Sequence, residues 1–144
     1  MSAQNYANHR RFVPPFHYYL ASLILATTIG AAINVYKSTG SESGIYSATL
    51  ILAIGIALIM LFLYSRAFAL RAQDRAIRAE ENFRHYLLAG KPLDSRITMR
   101  QIIGLRFAPD DEFLALAKEA AENGTSEDAI KRSIKNWRAD NERA

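Results

Sequence analysis

Residues 45–65 read IYSATLILAIGIALIMLFLYS, and residues 16–36 read FHYYLASLILATTIGAAINVY. No Asp, Glu, Lys or Arg occurs from Phe12 to Tyr36, nor from Ser43 to Ser65. Each window is long enough, as a helix, to cross a hydrocarbon core that takes about 20 apolar residues. An isolated apolar run of this length has to satisfy its own backbone polar groups in lipid, which selects helix. The linker KSTGSES is too short to let the helices separate, so spans 16–36 and 45–65 should form an antiparallel hairpin over residues 16–65.

The flanks orient it. Arg10 and Arg11 precede the first span, Arg66, Arg71, Arg75, Arg78 and Arg84 follow the second, and the loop holds only Lys37. Cationic residues near a span end resist translocation, so both termini are expected in the cytoplasm. Gly30-Ala31-Ala32 offers small residues for a signal-peptide cut, but the apolar run before it is long for that role. Residues 1–15 are read as an interfacial segment. Arg10, Arg11 and Arg66 would hold the flanks, and Phe16, Tyr18 and Tyr19 would supply rings at headgroup depth. Pro14 and Pro15 suit a first helical turn.

Within the first span Ser22, Ala26, Gly30 and Asn34 recur every four residues, a small-residue stripe suited to close approach by the second span or by a helix of another chain. Asn34 is the one amide in the spans and could line a polar path in an oligomeric channel. Nothing breaks the helix at Ser65. From Arg66 strong helix formers run to Ala89-Gly90-Lys91-Pro92, so residues 66–89 should extend span 2 out of the bilayer as an amphipathic helix. Its apolar stripe is Phe68, Ala72, Ala76, Ala79, Phe83 and Leu87, widened by Leu70, Ile77 and Leu88, and its arginines could attract anionic lipid.

Residues 90–144 form a small cytoplasmic domain of three helices. Thr98 with Gln101 caps the first, which carries Ile102, Ile103, Leu105 and Phe107. The second follows Pro109 with Asp110, Asp111 and Glu112 in its first turn and ends at Gly124. The third starts at Thr125 or Ser126 and carries Ile130, Ile134 and Trp137 as its stripe. So small a set should dock on the stripe of the long helix.

Chemistry is sparse. Without cysteine there are no disulfides or thiolate sites. His9 and His17 share no helix face, His85 stands alone and is expected to be partly exposed, and the acids of the second helix suit its macrodipole. No catalytic, cofactor-binding or metal-binding residue is assigned, and no enzyme activity is expected. LAKEAAENGTSEDAIKRSIKNW, residues 116–137, has Ala120, Gly124 and Ile130 at helix-turn-helix offsets, with Lys131, Arg132, Lys135 and Arg138 on the would-be recognition helix. Asn123, Thr125 and Ser133 fit that motif poorly. Residues 91–144 carry ten basic and ten acidic residues, so the excess that drives phosphate binding is missing.

The strings QNYANHRRFVPPFHYY, TMRQIIGLRFAPDDEF and AIKRSIKNWRAD resemble an uncharacterised family of small bacterial membrane proteins with two spans, a domain of unknown function. That resemblance covers nearly the whole chain and implies a bacterial inner-membrane setting without assigned catalytic residues. The expectation is therefore an all-α, multi-pass membrane protein, with a two-span hairpin, an extended second helix and a small three-helix domain. It would act by association, as a homo-oligomer or as an accessory subunit of a larger membrane complex. The alternative is a membrane-tethered helix-turn-helix protein that binds nucleic acid.

Overall fold

The computed structural model describes residues 4–9 and 12–140, with the backbone alone at residues 42 and 43. Arg10 and Arg11, assigned above to the membrane flank, lie outside the described residues. Among those described the chain is all-α, without strands: a π-helical segment Pro15–Leu20, then α1 Ala21–Lys37, α2 Glu42–Ala89, α3 Met99–Leu105, α4 Asp110–Asn123 and α5 Glu127–Ser133. It divides into two compact units, Phe12–Phe68 and Met1–Arg11 with Ala69–Ala144.

The first unit is the hairpin. Its helical course starts at Pro15, after Pro14, so the missing N–H groups fall where no helical partner exists. Every serine and threonine hydroxyl in the two apolar runs donates to a carbonyl of the preceding turn: Ser22 to Tyr19, Thr27 to Leu23, Thr28 to Ile24, Ser47 to Gly44, Thr49 to Tyr46 and Ser65 to Phe62. These polar groups need no water. The packed face of α1 is Ile24, Thr28, Ala31 and Val35, continued by Ser38 at its C-cap, and that of α2 is Ala48, Leu52, Gly55, Ile59 and Phe62. Both alternate steps of three and four, the seam of a left-handed pair. At its open end Phe16 stacks on Phe62 with centroids 4.5 Å apart. A Cβ on Gly55 would lie 2.8 Å from Thr28 Oγ1, so glycine permits the close crossing.

The second unit gathers the C-terminal half of α2, the three short helices and residues 4–9. Gly90, at φ +69°, stops α2 with its N–H on Tyr86 O. Gly124 at φ +63° does the same for α4. Thr98 and Gln101 form the expected capping box. Gln101 also reaches across with Nε2 to Ala120 O and Thr125 O, both at 3.0 Å, tying α3 to the α4–α5 turn. Gly104 lets α3 lie against α5, since a Cβ there would sit 3.1 Å from Glu127 O. Leu105, Phe107, Phe113 and Ile130 are fully buried at the centre.

Two boundaries differ from expectation. Phe107 lies beyond the end of α3, and α5 stops at Ser133, so Ile134 and Trp137 follow it outside any helix, on either side of a bend at residues 135 and 136. The cause is Glu112, whose carboxylate takes the N–H groups of Lys135 (2.9 Å) and Asn136 (3.0 Å) away from a helical ladder. Trp137 then reaches Phe107, centroids 4.8 Å apart, and Arg138 N–H donates to Phe107 O.

Gln101→Ala deletes both cross-links and the side-chain half of the capping box, leaving Ala120 O with the Gly124 N–H alone. It is expected to destabilise this unit by about 1–3 kcal/mol, read in the full-length protein as an earlier denaturation midpoint of Trp137 fluorescence. An unchanged midpoint would remove Gln101 from this role.

Candidate functional site

From Ala69 onward α2 presents two opposite faces. One carries Ile77, Glu81, Arg84 and His85, at helical spacing, and holds the short helices. Arg84 is the centre of it. Its Nε and Nη2 meet the Asp110 carboxylate at 2.7 and 2.6 Å, Nη2 donates to Ala108 O at 2.8 Å, and Nη1 donates to Glu81 Oε2 at 3.0 Å. The guanidinium also lies 4.3 Å from the centroid of Phe113. Glu81 is buried and has Arg138 within 3.7 Å as a second cation. His85 is buried rather than partly exposed; its Nδ1–H donates to Lys91 O at 2.7 Å, and its ring meets Phe113 edge-on.

The other face carries Ala72, Ala76, Ala79, Phe83 and Leu87, all exposed, with Phe83 at 63% and Leu87 at 68%. Of the stripe on which the small helices were expected to dock, only Ile77 at its margin is buried with them; the alanines, Phe83 and Leu87 are not. The small helices use the more polar face, because Arg84 brings a dense set of charge-assisted bonds that alanine cannot offer. Phe68, in the hairpin unit, is likewise exposed. The small-residue stripe of α1 is also uncovered. Ser22, Ala26, Gly30 and Asn34 are exposed, and a Cβ on Gly30 would meet nothing within 4 Å. The apolar half of α2 is therefore not their partner. Of the interface residues, Tyr18 and Tyr19 are exposed, while Phe16 and Arg66 are half-buried.

Residues 4–9 pack on the C-terminal helices, which pattern reading of the sequence did not anticipate. Tyr6 donates its hydroxyl to Asp128 Oδ1 at 2.5 Å and accepts from Arg132 Nη2 at 3.0 Å. His9 donates from Nδ1 to Tyr6 O, the only role a carbonyl permits, so Nε2 accepts from Lys131 Nζ at 3.3 Å. Its ring lies 5.8 Å from Phe107 and 5.7 Å from Trp137. Asp140 N–H donates to Gln4 Oε1 at 2.8 Å. Three of the four cations of the would-be recognition helix are thus engaged within the chain. Lys131 is buried against Glu127 (2.6 Å), Arg132 pairs with Asp128 (3.0 Å), and Arg138 lies near Glu81. Two of the three first-turn acids of α4 are engaged too, Asp110 by Arg84 and Glu112 by the tail.

The sequence profile of DUF6526, a family of unknown function, matches residues 1–144. The chain belongs to that family. No curated protein and no solved structure matches it. Among the described residues of this DUF6526 member, no group of three or more His, Cys, Asp and Glu side chains could hold a metal ion. Its geometry offers surfaces: a bare helix face on α2, a bare small-residue stripe on α1, and an N-terminal strap seated on α5 and the tail.

The strap has a defined pH sign. The Tyr6 hydroxyl, with Arg132 and Lys131 nearby, holds the Asp128 carboxyl below its ordinary value of 3.8. A folded value below the unfolded one means that this contribution is complete above 3.8 and disappears as pH falls through the lowered value. Tyr6→Phe and His9→Ala are each expected to shift the emission of Trp137, the only tryptophan, to the red, with Tyr18→Phe silent. The Tyr6→Phe difference should persist from neutral pH to the ordinary carboxylate range. Identical emission in all three variants would show the strap undocked in solution.

Proposed function

We propose that this DUF6526 member is a non-enzymatic protein of the bacterial inner membrane. Its hairpin would cross the bilayer with both termini cytoplasmic, and it would work by association with itself or as an accessory subunit of a larger membrane complex. The observation that carries the membrane reading is uncovered apolar surface. Two helices are long and apolar enough to span, and only 6% and 11% of their apolar windows are buried. The core helix of a soluble protein would be covered by its neighbours. Hydroxyls that satisfy themselves within their own helix, and the arginine excess at the outer ends of the hairpin, support the same reading. The packing of residues 4–9 on the C-terminal helices supports both ends lying on one side of the bilayer. Association is supported by the exposed apolar face of α2 outside the apolar run, where lipid gives no cover.

Topology reporters fused to either end are expected to report the cytoplasm, and the chain should leave membranes only with detergent. Differently tagged copies, or another membrane protein, should co-purify after mild solubilisation. Reporters on opposite sides, or a chain that dissolves without detergent, would overturn the membrane reading; a chain that stays monomeric and brings nothing down would overturn association.

A further inference from the structure

The bare face of α2 has the layout of one strand of a two-stranded coil. Ala69, Ala72, Ala76, Ala79, Phe83 and Tyr86 alternate steps of three and four, the a and d pattern of a heptad repeat, and all are exposed. They lie on the side of the helix away from Ile77, Glu81 and His85, so a partner helix can reach them while the short helices stay docked. The flanks differ in sign. Arg75 falls at a g position on one side, and Glu80 falls at the e position of the following heptad on the other. Both are exposed, and among the described residues neither makes an ion pair.

That arrangement is self-complementary in one orientation. In a parallel pair the g residue of one strand faces the e residue of the next heptad in its partner, so each Arg75 meets a Glu80 and the contact occurs twice about the two-fold axis. An antiparallel pair sets g against g and e against e, which parts Arg75 from Glu80. Copies inserted the same way round in one bilayer present α2 in parallel, which agrees with the charge pattern. We infer that the partner of this face is a second copy of the chain, held through residues 69–86 as a parallel two-fold coil with Arg75 against Glu80. This rests on the association reading above and names its partner and register.

The chain contains no cysteine, so single cysteines report on it directly. In native membranes, Ala72→Cys and Ala79→Cys are each expected to form self-crosslinked dimers under mild oxidation, while Arg78→Cys, off this face, does so several-fold less. Arg75→Glu and Glu80→Arg should each lower the crosslinking of Ala79→Cys several-fold, and the double exchange should restore it, which a folding defect would not do. Crosslinking at both alanines with rescue by the double exchange supports the proposal. Crosslinks only between Ala72→Cys and a different position point to antiparallel helices and overturn it. If tagged copies co-purify while neither alanine variant crosslinks, association survives through another surface and the α2 coil falls. If no copies co-purify and no crosslinks form, self-association falls with it.

Discussion

The docking of Arg84 decides how the rest of the C-terminal unit is arranged. A guanidinium has rigid, directional donors, and here they go to two carboxylates and a main-chain carbonyl while its flat face covers Phe113. Ions taken from water cost several kcal/mol unless their partners are in place, which binds the buried Arg84 and Glu81 to each other, with Asp110 at the exposed edge of the cluster. Because Asp110 opens α4 and Ala108 belongs to the connection before it, fixing Arg84 fixes where α4 starts. His85, packed edge-on to the same Phe113, leaves α4 little freedom to swing.

A consequence is that the usual amphipathic rule is inverted on this stretch of α2. A surface helix ordinarily turns its apolar stripe inward and its charges outward. Here Glu81, Arg84 and His85 face the core, while Ala72, Ala76, Ala79 and Phe83 face out. The inversion is affordable because the inward charges neutralise one another, and it leaves an apolar stripe with no intramolecular use.

What the sequence made legible was whatever depends on local physics. The charge-free windows, the glycine stops at Gly90 and Gly124, the proline entry at Pro15 and the Thr98–Gln101 box all follow from short-range rules, and all appear where expected. What escaped depends on choosing between faces. In a window where nearly every residue is apolar, hydrophobicity does not mark the contact side. The four-residue repeat of Ser22, Ala26, Gly30 and Asn34 stood out, while the true seam of Ile24, Thr28, Ala31 and Val35 did not. On α2 the apolar stripe was visible, but a docking face built from Glu, Arg and His looks like solvent-facing charge until Asp110 and Phe113 are placed opposite it. The third helix was drawn too long for a related reason, since the carboxylate that ends it comes from Glu112, more than twenty residues away.

The opening residues carry this furthest. Gln4, Tyr6 and His9 precede the first apolar helix and read naturally as part of its anchor, yet their partners are Asp140, Asp128, Arg132 and Lys131 at the far end of the sequence. No periodicity connects positions so distant. The need for such a contact is physical all the same. Helices of seven and fourteen residues enclose little apolar surface, and the layer formed by Phe107 and Trp137 would stay open on one side without the imidazole of His9. The strap supplies that cover with a polar rim of its own, and it uses Lys131 and Arg132 to do so. A basic helix that looked free to meet an anion is occupied by the chain's own beginning, so within this unit the uncovered apolar surface is the face of α2 and not α5.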